Sequence, residues 1–142
     1  MSFDDAETAF LRSQPLARLA TLGGGGQPDV VPVAFEFDGT FLGVGGVGSS
    51  VLSTRKFRNV AAGSVRVALV VDDLVSVQPF VARAVRVYGI ADGPVERVGM
   101  FGPGIFLRIT PTVSWSWNMA GEPVSDDWYP ARKCEHAAPV AG

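Results

Sequence analysis

Histidine and cysteine are almost missing from this chain: its 142 residues hold one of each, His136 and Cys134. A single cysteine excludes an internal disulfide and fits a reducing, cytoplasmic compartment. Two residues apart, the pair offers too few nitrogen and sulfur ligands for a zinc site, so no metal is expected. No Cys–His or Ser–His pair is expected within the fold, which argues against nucleophilic hydrolysis, and His136 is expected on the surface of a tail. No run approaches the ~18 apolar residues of a membrane-spanning helix. Asp4, Asp5 and Glu7 stand where a signal peptide would carry basic residues. An excess of one charge is lacking too: 12 Lys and Arg against 14 Asp and Glu leave a net charge of -2. Such a chain has no broad field for nucleic acid or an anionic membrane. Any anion it binds needs a local cluster of cations.

What the chain does have is turn-formers and apolar residues. Gly 17, Pro 10 and 47% hydrophobic residues suit many short strands around one core. One domain over 1–142 is expected, with a turn-rich tail from about Gly121 that wraps the surface or a partner subunit. Asp4 to Ser13 reads as a helix whose buried face holds Ala6, Ala9, Phe10 and Leu11. Leu16 to Leu22 is a first strand, and Gly23 to Gly26 a loose turn. Pro28 to Asp38 is a longer strand with Val31, Val33, Phe35 and Phe37 on one face. Asp38-Gly39 signals a two-residue hairpin into Phe41 to Gly45, and Gly45 to Ser50 is a small, flexible link. A helix over Thr54 to Ala62 follows, with Ser53 as N-cap and Gly63 as stop. Val65 to Val71 alternates and ends at Asp72-Asp73. Arg83 to Ala91, Ile105 to Ile109 and Val113 to Trp117 complete the sheet, with a bend at Pro111. A mainly β chain of about seven antiparallel strands curls into a barrel, which removes its edges.

Chemistry concentrates in Ser53-Thr54-Arg55-Lys56-Phe57-Arg58-Asn59-Val60. Phe57, Val60 and Ala61 share an apolar helix face, while Arg55, Lys56, Arg58 and Asn59 point elsewhere. Cations in a first helical turn oppose the dipole at ~0.3–1 kcal/mol each, a cost that a bound anion offsets. A merely solvated basic face is the plainer alternative. Pro32, inside Val31-Pro32-Val33, cannot donate to a ladder; it marks an edge or a bulge, or leaves backbone free to meet a flat ring. Trp115 and Trp117 suit packing or an interface, with stacking on a ligand ring as the alternative. Gly43 to Gly48 is glycine-rich but lacks the setting of a nucleotide fingerprint. No catalytic side chain stands out. That inventory suits an enzyme whose cofactor carries the reaction.

Leu16–Leu22, the Val31-Pro32-Val33 strand, the basic run and the following Arg66-Val67-Ala68-Leu69-Val70-Val71-Asp72-Asp73 resemble the pyridoxamine 5'-phosphate oxidase-like superfamily. With Arg108 to Trp117 they look most like its F420-dependent branch of flavin and deazaflavin oxidoreductases. The resemblance spans about residues 10–120. It implies a split β-barrel with short flanking helices, and a homodimer with cofactors in clefts between the subunits. Carried over by position, Thr54, Arg55, Lys56 and Asn59 would hold the cofactor phosphate, and backbone at Pro32, Val33 and Ala34 would face the ring. Arg58, Arg66 and Arg83 could serve the anionic tail of F420. The implied function is hydride transfer from reduced F420 to a small conjugated substrate. The alternatives are FMN in the same fold, and a non-catalytic flavin- or haem-binding dimer.

Overall fold

A computed structural model describes residues 2–46, 50–99 and 102–139. The chain runs α1 (Asp5–Ser13), β1 (Leu16–Leu22), β2 (Pro28–Phe37), β3 (Leu42–Gly46), α2 (Arg55–Ala61), β4 (Arg66–Ser76), β5 (Val81–Gly99), β6 (Gly102–Trp117) and β7 (Ala131–Glu135). All seven strands join one sheet in the order β3-β2-β1-β4-β5-β6-β7, and an added β3–β6 pairing closes the ring. The long β6 makes closure possible. Its Ile105–Ile109 stretch pairs with β3, and its Val113–Trp117 stretch pairs with β7. The fold is the split barrel that the sequence resemblance implies, with two short helices.

Alternation decides what is inside. Ala17, Leu19, Val33, Phe35, Phe37, Leu42, Val44, Val67, Leu69, Val71, Val85, Val87, Leu107 and Ile109 form one buried cluster, joined by Phe10 and Leu11 of α1 and Phe57 and Val60 of α2. Gly45 allows β3 and β6 to touch: a Cβ there would overlap the Ile105 carbonyl oxygen and stand 2.7 Å from Phe106 Cα.

Several expectations are corrected. The buried face of α1 is Glu7, Phe10 and Leu11, while Ala6 and Ala9 are exposed. Glu7 is drawn inward because it closes a capping box with Asp4 and pairs with Arg132 at 2.6 Å. The Asp38 turn is not a two-residue hairpin, because the Asp38 carboxylate accepts from the backbone N–H groups of Thr40 and Phe41 and holds a longer loop. β4 does not stop at Asp72-Asp73. Arg18 neutralises Asp72, and Arg83, opposite Asp73 in the ladder, neutralises Asp73. The last two expected strands are one strand, β6, bulged rather than broken after Pro111: Gly89 faces Pro111 but Tyr88 faces Val113. The extra residue, Thr112, reverses the alternation. Ser114 and Ser116 therefore face the core, and Trp115 and Trp117 lie on the outer face. The tail contributes the unexpected β7. Of the expected link 45–50, residues 47–49 lie outside the described residues.

His136 is not a free surface group. Its Nε2 lies 2.8 Å from Ser114 Oγ, and its ring centroid lies 4.4 Å from that of Phe3. A Ser–His pair therefore exists, contrary to expectation. Ser114 is fully buried inside the barrel, so the pair cannot present a nucleophile to a substrate.

Candidate functional site

α2 opens without a side-chain cap. The Ser53 hydroxyl donates to Ser50 O and the Thr54 hydroxyl to Val51 O, so Thr54, not Ser53, occupies the N-cap position. At the other end Gly63, with φ 106, stops the helix as expected. Phe57 and Val60 anchor the helix in the core. Asn59 turns inward as well: it is buried, and its Nδ2 donates to Thr21 Oγ1 of β1 at 2.9 Å. That bond ties α2 to the sheet and sets the direction of the side chains at its start.

Arg55 and Lys56 stand at that start, over β2. Arg55 Nε lies 4.0 Å from Asp29 Oδ1, with its side chain 61% exposed. Lys56 is half-buried, and lost hydration pushes its pKa below the ordinary lysine value while Asp29 pulls the other way. Arg58 is exposed. Among the described residues, Lys56, Arg58 and Arg66 take part in no ion pair.

The same end of the barrel carries a groove of about 870 Å³ on its outer face, lined by Thr21, Leu22, Pro28, Arg66, Tyr88 and Ile90 among others. Thr21, which holds Asn59, thus joins the groove to α2. The other expected residues are divided between two faces of β2. Pro32 and Ala34 are exposed on the outer face, whereas Val33 is buried in the core, so that only its backbone could meet a ligand. β3 pairs only with Phe35–Phe37, which leaves the flank of β2 at Pro32 uncovered by β3. Arg83 is committed elsewhere: it makes two hydrogen bonds to Asp73 and stacks 4.9 Å from the Phe10 ring centroid. Asp29 and Thr21, which sequence reading did not single out, come to the site only through strand pairing and helix docking.

Comparison with known proteins fits this geometry. The sequence profile of the pyridoxamine 5'-phosphate oxidase family matches residues 3–98, the segment that carries the cation cluster and most of the groove. The chain belongs to the pyridoxamine 5'-phosphate oxidase family. A protein from Streptomyces rimosus, 5a,11a-dehydrotetracycline/5a,11a-dehydrooxytetracycline reductase, is 45% identical over 126 residues, covering 86% of this chain and 87% of the relative. Two solved structures share the fold of this oxidase-family chain. An F420 reductase superposes with a TM-score of 0.54 at 22% identity, covering 73% of this chain and 92% of its own. A conserved hypothetical protein of Mycobacterium tuberculosis superposes with a TM-score of 0.63 at 20% identity, covering 88% of this chain and 92% of its own.

Proposed function

We propose that this oxidoreductase is an F420-dependent reductase of a small conjugated substrate, working as a homodimer. The reductase class rests on the 45% identity to the Streptomyces enzyme. The observation that carries the cofactor reading is Lys56, a half-buried ammonium depressed by desolvation, which with Arg55 faces Asp29, the neighbour in sequence of the groove residue Pro28. A cation that has lost water gains most from a phosphate, which returns charge-assisted hydrogen bonds. The residues present therefore fit a phosphate-bearing cofactor. α2 has only seven residues, so the side chains, rather than a helix dipole, supply the attraction.

When bound in reduced form, F420 supplies a hydride for an electron-poor carbon of a conjugated substrate, the balancing proton being taken up from water. The chain itself orients and desolvates. Lys56, Arg55 and the Thr54 segment hold the phosphate. Backbone at Pro32, Val33 and Ala34 borders the ring. Arg58 and Arg66, free of ion pairs among the described residues, serve the anionic tail, which FMN lacks. Asn59 positions this set through Thr21 rather than by touching the ligand.

The homodimer rests on the outer sheet face. Leu16, Leu22, Val30, Tyr88 and Ile90 are exposed there, on three strands, β1, β2 and β5. An apolar face of that breadth suits a self-complementary partner.

Titration of the protein with F420 and separately with FMN, followed by fluorescence, tests the reading. F420 binding that Lys56→Ala weakens by roughly tenfold, with the melting temperature kept, is expected from the loss of one charge-assisted contact. Binding of neither cofactor, or FMN alone, sinks it.

A further inference from the structure

A second cavity lies at the other end of the same outer face, between the β4–β5 hairpin and the tail. It measures about 440 Å³, and its walls include Phe80, Trp117 and Trp128. Its floor is small: Ala82 and Ala84 lie on the outward side of β5, and Ala84 pairs directly with Trp117 in the ladder. Two alanines between aromatic walls leave a slot where larger side chains would close the surface. Trp128 is 58% exposed even though its ring lies near two others, with centroids 6.0 Å from Phe80 and 5.1 Å from Tyr129.

The tail holding Trp128 is firmly placed. Asn118, in a left-handed conformation with φ 60, donates from its amide to Ala82 O and Glu122 O and accepts from Glu122 N–H. The Tyr129 hydroxyl meets Ala82 N–H and donates to Glu122 O. Such bonding fixes the backbone on either side of Trp128 while its indole stays largely in water. Leaving so large an apolar surface exposed forfeits burial energy, and a flat ligand in the slot would recover it. At the rim, Asp72 lines the cavity and pairs with Arg18 at 2.6 Å. That pair sets one carboxylate and one guanidinium beside the slot, able to accept from hydroxyls and donate to carbonyl oxygens.

We propose that this slot is the substrate site, and that its ligand is a fused, partly flat polycycle bearing hydroxyl and carbonyl oxygens. The proposal rests on the reductase reading above, and on the relative whose substrate is such a polycycle. The volume lies within the range of sites that enclose a drug-sized ligand. Trp128 and Trp117 would stack on the ring system, while Ala82 and Ala84 provide clearance.

The test uses tetracycline, the reduced counterpart of a dehydrotetracycline, as a fluorescent probe whose anisotropy rises on binding. It is titrated into the full chain with and without F420. Trp128→Ala should weaken tetracycline binding roughly tenfold, and Trp128→Phe should recover most of it. Ala84→Phe should abolish binding by filling the slot. F420 affinity, read separately by its own fluorescence, should stay unchanged in Trp128→Ala. Tetracycline bound equally well by Trp128→Ala and Ala84→Phe overturns the proposal, as does wild-type protein that binds F420 but not tetracycline. Tetracycline binding that depends on Trp128, in a protein that binds no F420, upholds the slot and overturns the cofactor reading alone.

Discussion

Lys56 links burial to ligand affinity through a single proton. Its pKa lies below the ordinary 10.5 because desolvation outweighs Asp29. Affinity for a phosphate-bearing cofactor should therefore fall as pH rises, at a lower pH than an ordinary ammonium would dictate. Lys56→Arg should flatten that fall, because a guanidinium stays charged throughout. F420 titrations across an alkaline pH series would show it; a profile identical in both proteins would exclude Lys56 as the titrating group. His136 makes a similar argument for stability. Burial lowers its pKa from 6.5, with Glu7 opposing less strongly. The unfolded chain thus binds a proton that the folded chain refuses. This contribution is complete above the unfolded pKa of 6.5 and is lost as pH falls through and below it. Thermal melts at mildly acidic and neutral pH should show a smaller acid-induced drop for His136→Gln than for the native chain.

Among the elements, α2 is the one whose placement matters most, and the Asn59–Thr21 bond fixes it beside the core anchors Phe57 and Val60. Asn59→Ala leaves the buried Thr21 hydroxyl without that partner and should cost about 1–3 kcal/mol in urea unfolding. Thr21→Ala combined with it should cost less than the sum of the two single changes, the mark of a shared contact. Additive costs would mean that the two side chains act independently. The same helix shows what could be read from sequence. Its basic run, its Phe57 and Val60 anchors and its glycine stop are local patterns and were legible. The inward turn of Asn59 was not, because its partner lies 38 residues away on another strand. β6 repeats the lesson. Its two halves and their alternation were visible, but the bulge at Thr112 decides which half-face is inside, and a bulge shows itself only against the facing strand. Asp72-Asp73 read as a strand end for a related reason: the cross-strand arginines that neutralise them cannot be seen from one segment.

For the whole molecule, an antiparallel barrel followed from strand count and short turns, and the sequence resemblance to the oxidase family agreed with it; the order, with β1 beside β4 and β3 beside β6, did not, because those pairings join strands distant in the chain. The tail was the least legible part. Turn-rich from Gly121, it nevertheless returns as β7 along β6 and brings Trp128 to the second cavity. The homodimer is a whole-molecule claim and needs a whole-molecule test. Tyr88→Asp or Val30→Asp on the exposed face should shift sedimentation from dimer to monomer, and cofactor affinity should fall with it if the cleft needs both subunits. A native chain that sediments as a monomer at micromolar concentration would refute the assembly.

Glu7 is wholly buried, and its ion-pair partner Arg132 lies 125 residues further along. On the ribosome the helix carrying Glu7 is made well before that partner, and docking it then would enclose a carboxylate held only by its capping-box bond to the Asp4 N–H, an unpaired charge that costs several kcal/mol to bury. Stable docking of this helix is therefore expected only once the segment around Arg132 has emerged, later than the strands whose β3–β6 pairing closes the ring.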